Sequence, residues 1–437
     1  AEQAVAWTSY LARSCYMLQQ GEYVADIAYY YGEDNNITVM FSGRNGNGLP
    51  EIPEGYSYDF VNADALVNLM SVENGRIVTP SGMSYRLLVL DPNSRYMTLS
   101  VLRKIRDMVK NGAVVTGTKP VQTPSLADDP AEFDAIVSEL WANETGANSA
   151  GKGKIYAGTS LPDVLKTEGV AQDFGAQEGS VKLFFVHRKV DDIQIYWVAN
   201  HDDRADDIEA TFRVDGMEPE IWHPETGLIE KASYRIENGV TKVKLHLEPV
   251  DAIFVVFRNR TNVKSFTLPE ISETRLAAVD GEWNVSFQAG RGAPEKAVFT
   301  SLTPWNEKAD RGIKYFSGTG SYSKTLHAPA EWFTSGAQLW LDLGDAQNLA
   351  EVAVNGKSLG IVWKKPFKVN VTDALKQGDN NLEIKVTNLW VNRLIGDRQP
   401  DEKNPVTFTT SRPYTADTPL KPSGLLGPVA IIKKTTK

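Results

Sequence analysis

The sequence predicts a multidomain chain, α/β in its first third and all-β thereafter. Three observations carry this. Apolar strand-like runs alternate with helical segments up to about residue 165, the pattern of a parallel sheet covered on both faces. After Asp173, short strand-like runs follow one another with no helical pattern between them. At 437 residues the chain is also too long for one ordinary core, so roughly two to four domains are expected.

Residues 1 to about 20 read as a helix. Val5, Leu11, Met17 and Leu18 recur at helical spacing and Gly21 is the C-cap. Cys15 lies on this helix and is expected as a buried packing residue. Residues 23–31 read as a buried strand ending at Gly32-Glu33-Asp34, residues 63–70 as a helix, and residues 85–90 as an apolar strand. Thr98 is the N-cap of a helix over Leu99–Lys110, Gly112 lies past its end, and residues 113–117 form another buried strand. This alternation predicts a flavodoxin-like α/β domain over 23–165, with 1–22 a separate leading helix.

Strand-like runs at 181–186, 193–199, 210–214, 220–223, 234–236, 240–247 and 252–257 predict an antiparallel β-sandwich over 166–263. A polar link at 258–262 leads into the last domain, 264–437. Asn355-Gly356 stands there between two apolar runs. It is a strong hairpin signal, because a type I′ turn needs positive φ at both central positions. Gly378-Asp379-Asn380 reads as a second turn before the alternating strand 381–386.

The formal net charge is −9 and the pI about 5.3. An acidic chain without a basic stripe is a poor nucleic-acid binder. No apolar run approaches the roughly 20 residues of a membrane helix, and residues 1–14 lack the apolar core of a signal peptide. Cys15 is the only cysteine, so no intrachain disulfide and no cysteine-based metal site is expected. None of the five histidines has the i, i+4 spacing of a helical zinc site. The glycines at 43–48 precede two prolines and read as a loop rather than a phosphate cradle, and 151–154 reads as a basic turn.

Aromatic faces stack on the apolar faces of sugars, so Trp305, Trp340, Trp363 and Trp390 are candidates for sugar contact. Tryptophans of a β-sandwich belong mostly to its core, and two or more of the four are expected to be buried. Asn388, Asn392, Arg393 and Asp397 are the most binding-like polar set. They have two readings of equal weight, sugar contact or a clamp onto a neighbouring domain.

Residues 351–397 resemble the galactose-binding-like jelly-roll β-sandwich of large glycoside hydrolases, in the form called the family 2 sugar-binding domain. Four collinear blocks extend the likeness. They are Tyr10-Leu11-Ala12-Arg13-Ser14 with Leu18-Gln19-Gln20-Gly21; Ala25-Asp26-Ile27-Ala28-Tyr29 with Gly32-Glu33-Asp34; Tyr58-Asp59-Phe60-Val61-Asn62 followed by residues 85–90; and a C-terminal block with Gly318-Thr319-Gly320, Asn355-Gly356 and Asn388-Leu389-Trp390-Val391-Asn392-Arg393. Together they resemble glycoside hydrolase family 106, the α-L-rhamnosidases of plant-polysaccharide degraders.

That resemblance implies a catalytic (β/α)8 barrel followed by an amidotransferase-like α/β domain and β-sandwiches, with residues 1–22 the remnant of the barrel. For a full-length relative it implies hydrolysis of terminal α-L-rhamnosides with inversion, a calcium ion near the substrate, and a periplasmic or extracellular location. Amidotransferase chemistry is not expected, because the strand ends carry no cysteine nucleophile. Glu33 then has two readings. It is the base that activates water in a full-length relative, or a loop residue that faces solvent or caps Asn35-Asn36. Inversion needs two carboxyls about 6.5–9.5 Å apart, and the second would come from the barrel.

The expected role is thus the accessory, carbohydrate-binding part of a rhamnosidase, not hydrolytic alone. Trp363, Trp390, Asn388, Asn392, Arg393 and Asp397 would hold sugar, and a barrel of the same gene would be the partner. Calcium is the one cofactor candidate, through backbone carbonyls and Asp345 or Asp373. The alternatives are a stand-alone carbohydrate-binding protein and a purely structural module bracing a barrel.

Overall fold

The computed structural model describes residues 3–33, 51–92 and 94–436. Asp34, Asn35, Asn36 and the glycine-rich stretch 43–48 lie outside the described residues. The chain divides into two compact units, Arg13–Thr267 and Ala1–Ala12 with Leu268–Lys437. Helix Ala4–Leu18 contributes residues to both.

Within Arg13–Thr267, the strands Ile27–Tyr30, Tyr58–Val61, Leu87–Leu90, Val114–Thr116 and Gly153–Ala157 form one sheet in the spatial order 2-1-3-4-5, every neighbouring pair parallel. Gly146–Ala150 adds an antiparallel edge. All four residues of Ile27–Tyr30 and of Leu87–Leu90 are buried, because helices cover both faces. Ala28, Tyr30, Leu88 and Leu90 pack with the helices Leu99–Lys110 and Pro130–Leu140. Ile27, Tyr29, Leu87 and Val89 pack on the other side with Val164 and Leu165 of helix Leu161–Thr167.

The strand predicted over 23–31 is in fact two. Glu22–Tyr23 pairs antiparallel with Arg188 and Lys189 of the next sheet, and only Ile27–Tyr30 enters the parallel sheet. The chain turns between them at Asp26, whose carbonyl accepts from the Arg86 and Leu87 N–H groups. Gly21 makes the preceding approach possible. It sits at φ +52°, and a Cβ there would lie 1.9 Å from the Lys189 carbonyl oxygen.

No helix interrupts residues 174–266. A six-stranded sheet (Glu22–Tyr23, Leu183–Val190, Ile193–Asn200, Ala252–Arg260, Met217–Trp222, Ile229–Lys231) faces a five-stranded one (Phe174–Ala176, Asp206–Phe212, Val240–Leu247, Tyr234–Glu237, Ser265–Phe266), all antiparallel. Tyr196, Phe212, Val243, Val255 and Phe257 fill the space between them. A buried ionic cluster ties this sandwich to the parallel sheet. Arg213 reaches Asp26 at 3.0 Å and Asp173 at 3.4 Å. Asp173 also accepts from the Tyr196 hydroxyl at 2.8 Å, and His187 Nδ1 lies 2.8 Å from its other oxygen. Burial pushes the Asp26 carboxyl up, and the Arg213 charge opposes that.

In the other unit, a six-stranded antiparallel sheet centred on Thr319–Ala328 and Gly378–Thr387 faces a four-stranded sheet of Ile271–Ala278, Ala430–Thr436, Gln338–Asp342 and Lys368–Asn370. Trp283, Trp305, Tyr322, Leu341, Val352 and Ile384 lie in the shared core. Asn355 and Gly356 take φ 51° and 79° and close Leu349–Val354 onto Lys357–Val362, as the hairpin signal predicts. The turn predicted at 378–380 is instead the start of a ten-residue strand. Its partner Thr319–Ala328 is equally long, and pairing runs on to Gly378.

The tryptophan expectation also fails. Of the four, only Trp305 is buried. Trp340 lies on the outer face of its strand, because Leu339 and Leu341 take the inner positions. Cys15 is exposed rather than buried, since the helix Ala4–Leu18 turns Ser14 and Met17 inward instead. Val5, Trp7, Leu11 and Tyr16 are exposed on the same helix. Among the described residues no helix is long and apolar enough to cross a membrane.

Candidate functional site

Open parallel sheets bind ligands beyond the carboxyl ends of their strands, where the strand order reverses. Here that point lies between Ile27–Tyr30 and Leu87–Leu90, and Glu33 and Asp91 follow these strands. The Glu33 carboxylate accepts from the Thr98 N–H at 2.6 Å and from the Thr98 hydroxyl at 2.9 Å. Thr98 is the N-cap of helix Leu99–Lys110, as predicted, but its own side chain makes no capping bond. Glu33 and Asp128 take that role, the latter accepting from the Leu99 N–H at 2.7 Å. Negative groups at a helix N-terminus are stabilising. Asp91 escaped the sequence reading. It accepts from the Tyr29 hydroxyl at 2.7 Å, and burial together with Asp91 raises the Tyr29 phenol far above its usual range.

The second place is the short helix Val391–Gly396 at one end of the last sandwich. The fold brings Asn388, Asn392, Arg393 and Asp397 together there, and it spends their hydrogen bonds internally. Asn388 accepts from the Gly318 N–H and donates to the Phe316 carbonyl, both at 2.9 Å. Asn392 pairs twice with the backbone of Lys421, at 2.7 and 2.8 Å. Arg393 reaches Asp397 at 2.7 Å. Asp397 accepts from the Val406 and Thr407 N–H groups and the Thr407 hydroxyl. Burial would raise the Asp397 carboxyl, but these bonds and the Arg393 charge outweigh it and hold the group below the usual carboxylate range.

The two predicted tryptophans part company. Trp363 is half-buried in an aromatic cluster, with its ring 5.1 Å from Trp7 and 5.2 Å from Tyr10. Trp390 is 58% exposed, and the Arg291 guanidinium stands 5.5 Å from its ring centre. Arg291 was not predicted. Its signal was Gly290-Arg291-Gly292, where two glycines at positive φ present the arginine on a tight turn. A groove of about 100 Å³ is lined by Leu389 and Val391, which flank Trp390 in the sequence, and by Gln347, Asn348 and Lys421. An exposed ring with a cation beside it can hold a sugar by stacking and hydroxyl contacts.

Calcium needs six to eight oxygen ligands. Among the described residues no three His, Cys, Asp or Glu side chains converge as a metal site. Asp345 is bonded by the Gln347 amide, and the Asp373 carbonyl by Lys357. These residues do not fit a calcium site.

The glycoside hydrolase family 106 profile, described as alpha-L-rhamnosidase, matches residues 1–236. The solved rhamnosidase of Novosphingobium sp. PP1Y is 41% identical over 99% of this chain, with a TM-score of 0.91, and the match covers 41% of that chain. A protein of Formosa agariphila, provisionally named a beta-glucuronidase, is 26% identical over 98% of this chain and 57% of its own length. The chain therefore spans about half the length of these relatives or less.

Proposed function

Because the chain belongs to glycoside hydrolase family 106, the α-L-rhamnosidases, we propose that it is the accessory, carbohydrate-binding region of such an enzyme. Hydrolysis then needs a catalytic barrel outside this stretch. Among the described residues the parallel strands form one open sheet, not a closed barrel. We read that sheet as flavodoxin-like and amidotransferase-like, and the last sandwich as a galactose-binding-like jelly roll. Domains at 1–22, 23–165, 166–263 and 264–437 follow from the same reading, as does a periplasmic or extracellular location.

One observation carries the sugar-binding half. Of the residues singled out for sugar contact, Trp390 alone is exposed, with Arg291 over its ring. In this reading Trp390 is the stacking platform, and the Arg291 guanidinium beside it meets hydroxyls. Asn388, Asn392, Arg393 and Asp397 hold the platform in place. The ligand is a terminal rhamnoside on plant polysaccharide or a glycan side chain. Exposed Val5, Trp7 and Leu11 would meet the catalytic barrel.

Calorimetric titration with methyl α-L-rhamnoside tests this. Binding that is lost in Trp390→Ala supports it. Binding untouched by both Trp390→Ala and Arg291→Ala would refute the site. Failure of the wild-type chain to bind any rhamnoside or plant polysaccharide would favour the structural-module reading, which the internal bonds of Asn388 and Asn392 suit.

A further inference from the structure

A second cavity in the last unit, of about 210 Å³, is lined by Asp397, Arg398, Phe408, Thr409, Arg412 and Tyr414 among others. Its charge is one-sided. Asp397 is already committed to Arg393, Val406 and Thr407. The nearby carboxylates Asp401 and Glu402 serve Arg311, and Glu402 also faces Arg393. Arg398 and Arg412 have no ion pair and no side-chain hydrogen bond among the described residues. Two uncompensated guanidinium groups thus share one cavity in a chain of net charge −9. A planar guanidinium fork matches a carboxylate or sulfate, and two of them concentrate an anion.

The rest of the lining suits a ring. Phe408 and Tyr414 offer aromatic faces and Thr409 a hydroxyl. The volume falls below the roughly 300–1,000 Å³ of pockets for drug-sized ligands, which points to one ring rather than an oligosaccharide. We propose that this cavity is a subsite for a monosaccharide residue bearing an anionic group, either a uronate carboxylate or a sulfate ester. That the ring is a sugar rests on the carbohydrate-binding function proposed above, whereas the preference for an anion rests on Arg398 and Arg412 alone.

The test is calorimetry on the full chain at low salt with methyl β-D-glucuronide, methyl β-D-glucoside, galactose 6-sulfate, inorganic sulfate and methyl α-L-rhamnoside. The glucuronide or the sulfated sugar should bind at least about tenfold tighter than the glucoside, and whichever binds identifies the anionic group. Arg398→Ala and Arg412→Ala should each weaken it about tenfold or more, the loss of a charge-assisted bond, with Arg412→Lys intermediate. Both arginines are at least partly exposed, and an unchanged circular dichroism spectrum checks that the variants fold. Inorganic sulfate binding as tightly as either acidic sugar would overturn the sugar assignment. Rhamnoside binding without acidic-sugar binding would overturn this subsite and leave the Trp390 site standing. Acidic-sugar binding without rhamnoside binding would do the reverse.

Discussion

Glu33 and Thr98 are joined twice: one carboxylate oxygen accepts from the Thr98 amide at 2.6 Å and the other from its hydroxyl at 2.9 Å. A residue 65 positions upstream thus caps the helix Leu99–Lys110, whose own N-cap side chain leaves the task undone. Glu33→Ala should cost about 0.5–2 kcal/mol, the usual worth of an N-cap. Glu33→Gln keeps an acceptor and should cost about 0.3–1 kcal/mol, the charge–dipole part. Urea unfolding of the chain measures both, and two variants indistinguishable from wild type would mean that Glu33 does not cap this helix in solution.

Trp390 is 58% exposed, with the Arg291 guanidinium 5.5 Å from its ring centre. Trp390→Ala should therefore leave stability within about 0.5 kcal/mol of wild type while removing rhamnoside binding. A drop in the unfolding midpoint alongside the loss of binding would assign the residue to packing.

Arg213 neutralises Asp26 and Asp173, which are both buried. Removing one partner of a buried ionic cluster leaves charge unpaired and costs about 3–5 kcal/mol. Arg213→Ala should fall at the lower end, since the arginine still reaches solvent. Calorimetric melting should show a lowered transition for the variant.

Asn392 is buried and bonds the Lys421 carbonyl and amide. Asn392→Ala orphans both backbone groups, at about 1–3 kcal/mol. The segment from Arg398 to Pro422 should then be cut by trypsin faster than in wild type.

Asp397 adds a pH dependence to the same segment. Its carboxyl is held below the usual range, by bonds that outweigh the opposing effect of burial. A carboxylate depressed in the folded state contributes stability that is complete above its unfolded pKa, about 3.9. That stability is lost as pH falls through the lower folded value. Protection of the Val406 and Thr407 amides, taken relative to their intrinsic exchange rates, should be high at neutral pH and fall below about pH 4. Asp397→Asn should show fast exchange already at neutral pH.

Local signals made much of the fold legible. Thr98 as N-cap and Gly112 past the end predicted the helix Leu99–Lys110 to the residue, and Asn355-Gly356 its hairpin. Equally local signals went unread. Asp129-Pro130 opens a helix with an N-cap and proline at its first turn, Ser160 caps Leu161–Thr167, and Asn74-Gly75 closes Ser71–Glu73 onto Arg76–Val78. The break at Asp26 was not legible, because the residues that impose it, Arg86 and Arg213, arrive from distant elements. The polar set around Asn392 was visible as a set. Its partners were not, since Lys421 lies 29 residues further along and only the folded chain brings it near. Trp363 and Trp390 looked alike in sequence and differ because Trp7 and Tyr10 pack on only one of them.

The most direct test of the accessory role is the rate at which the purified chain hydrolyses 4-nitrophenyl α-L-rhamnopyranoside. An inverting site needs two carboxyls with room for water between them, and the Glu33 carboxylate here is bonded through both oxygens to Thr98. The predicted result is no turnover above the buffer blank from a chain that still binds methyl α-L-rhamnoside. Sustained turnover from this chain alone, abolished in Glu33→Gln, would contradict the account and place a complete active site within these 437 residues.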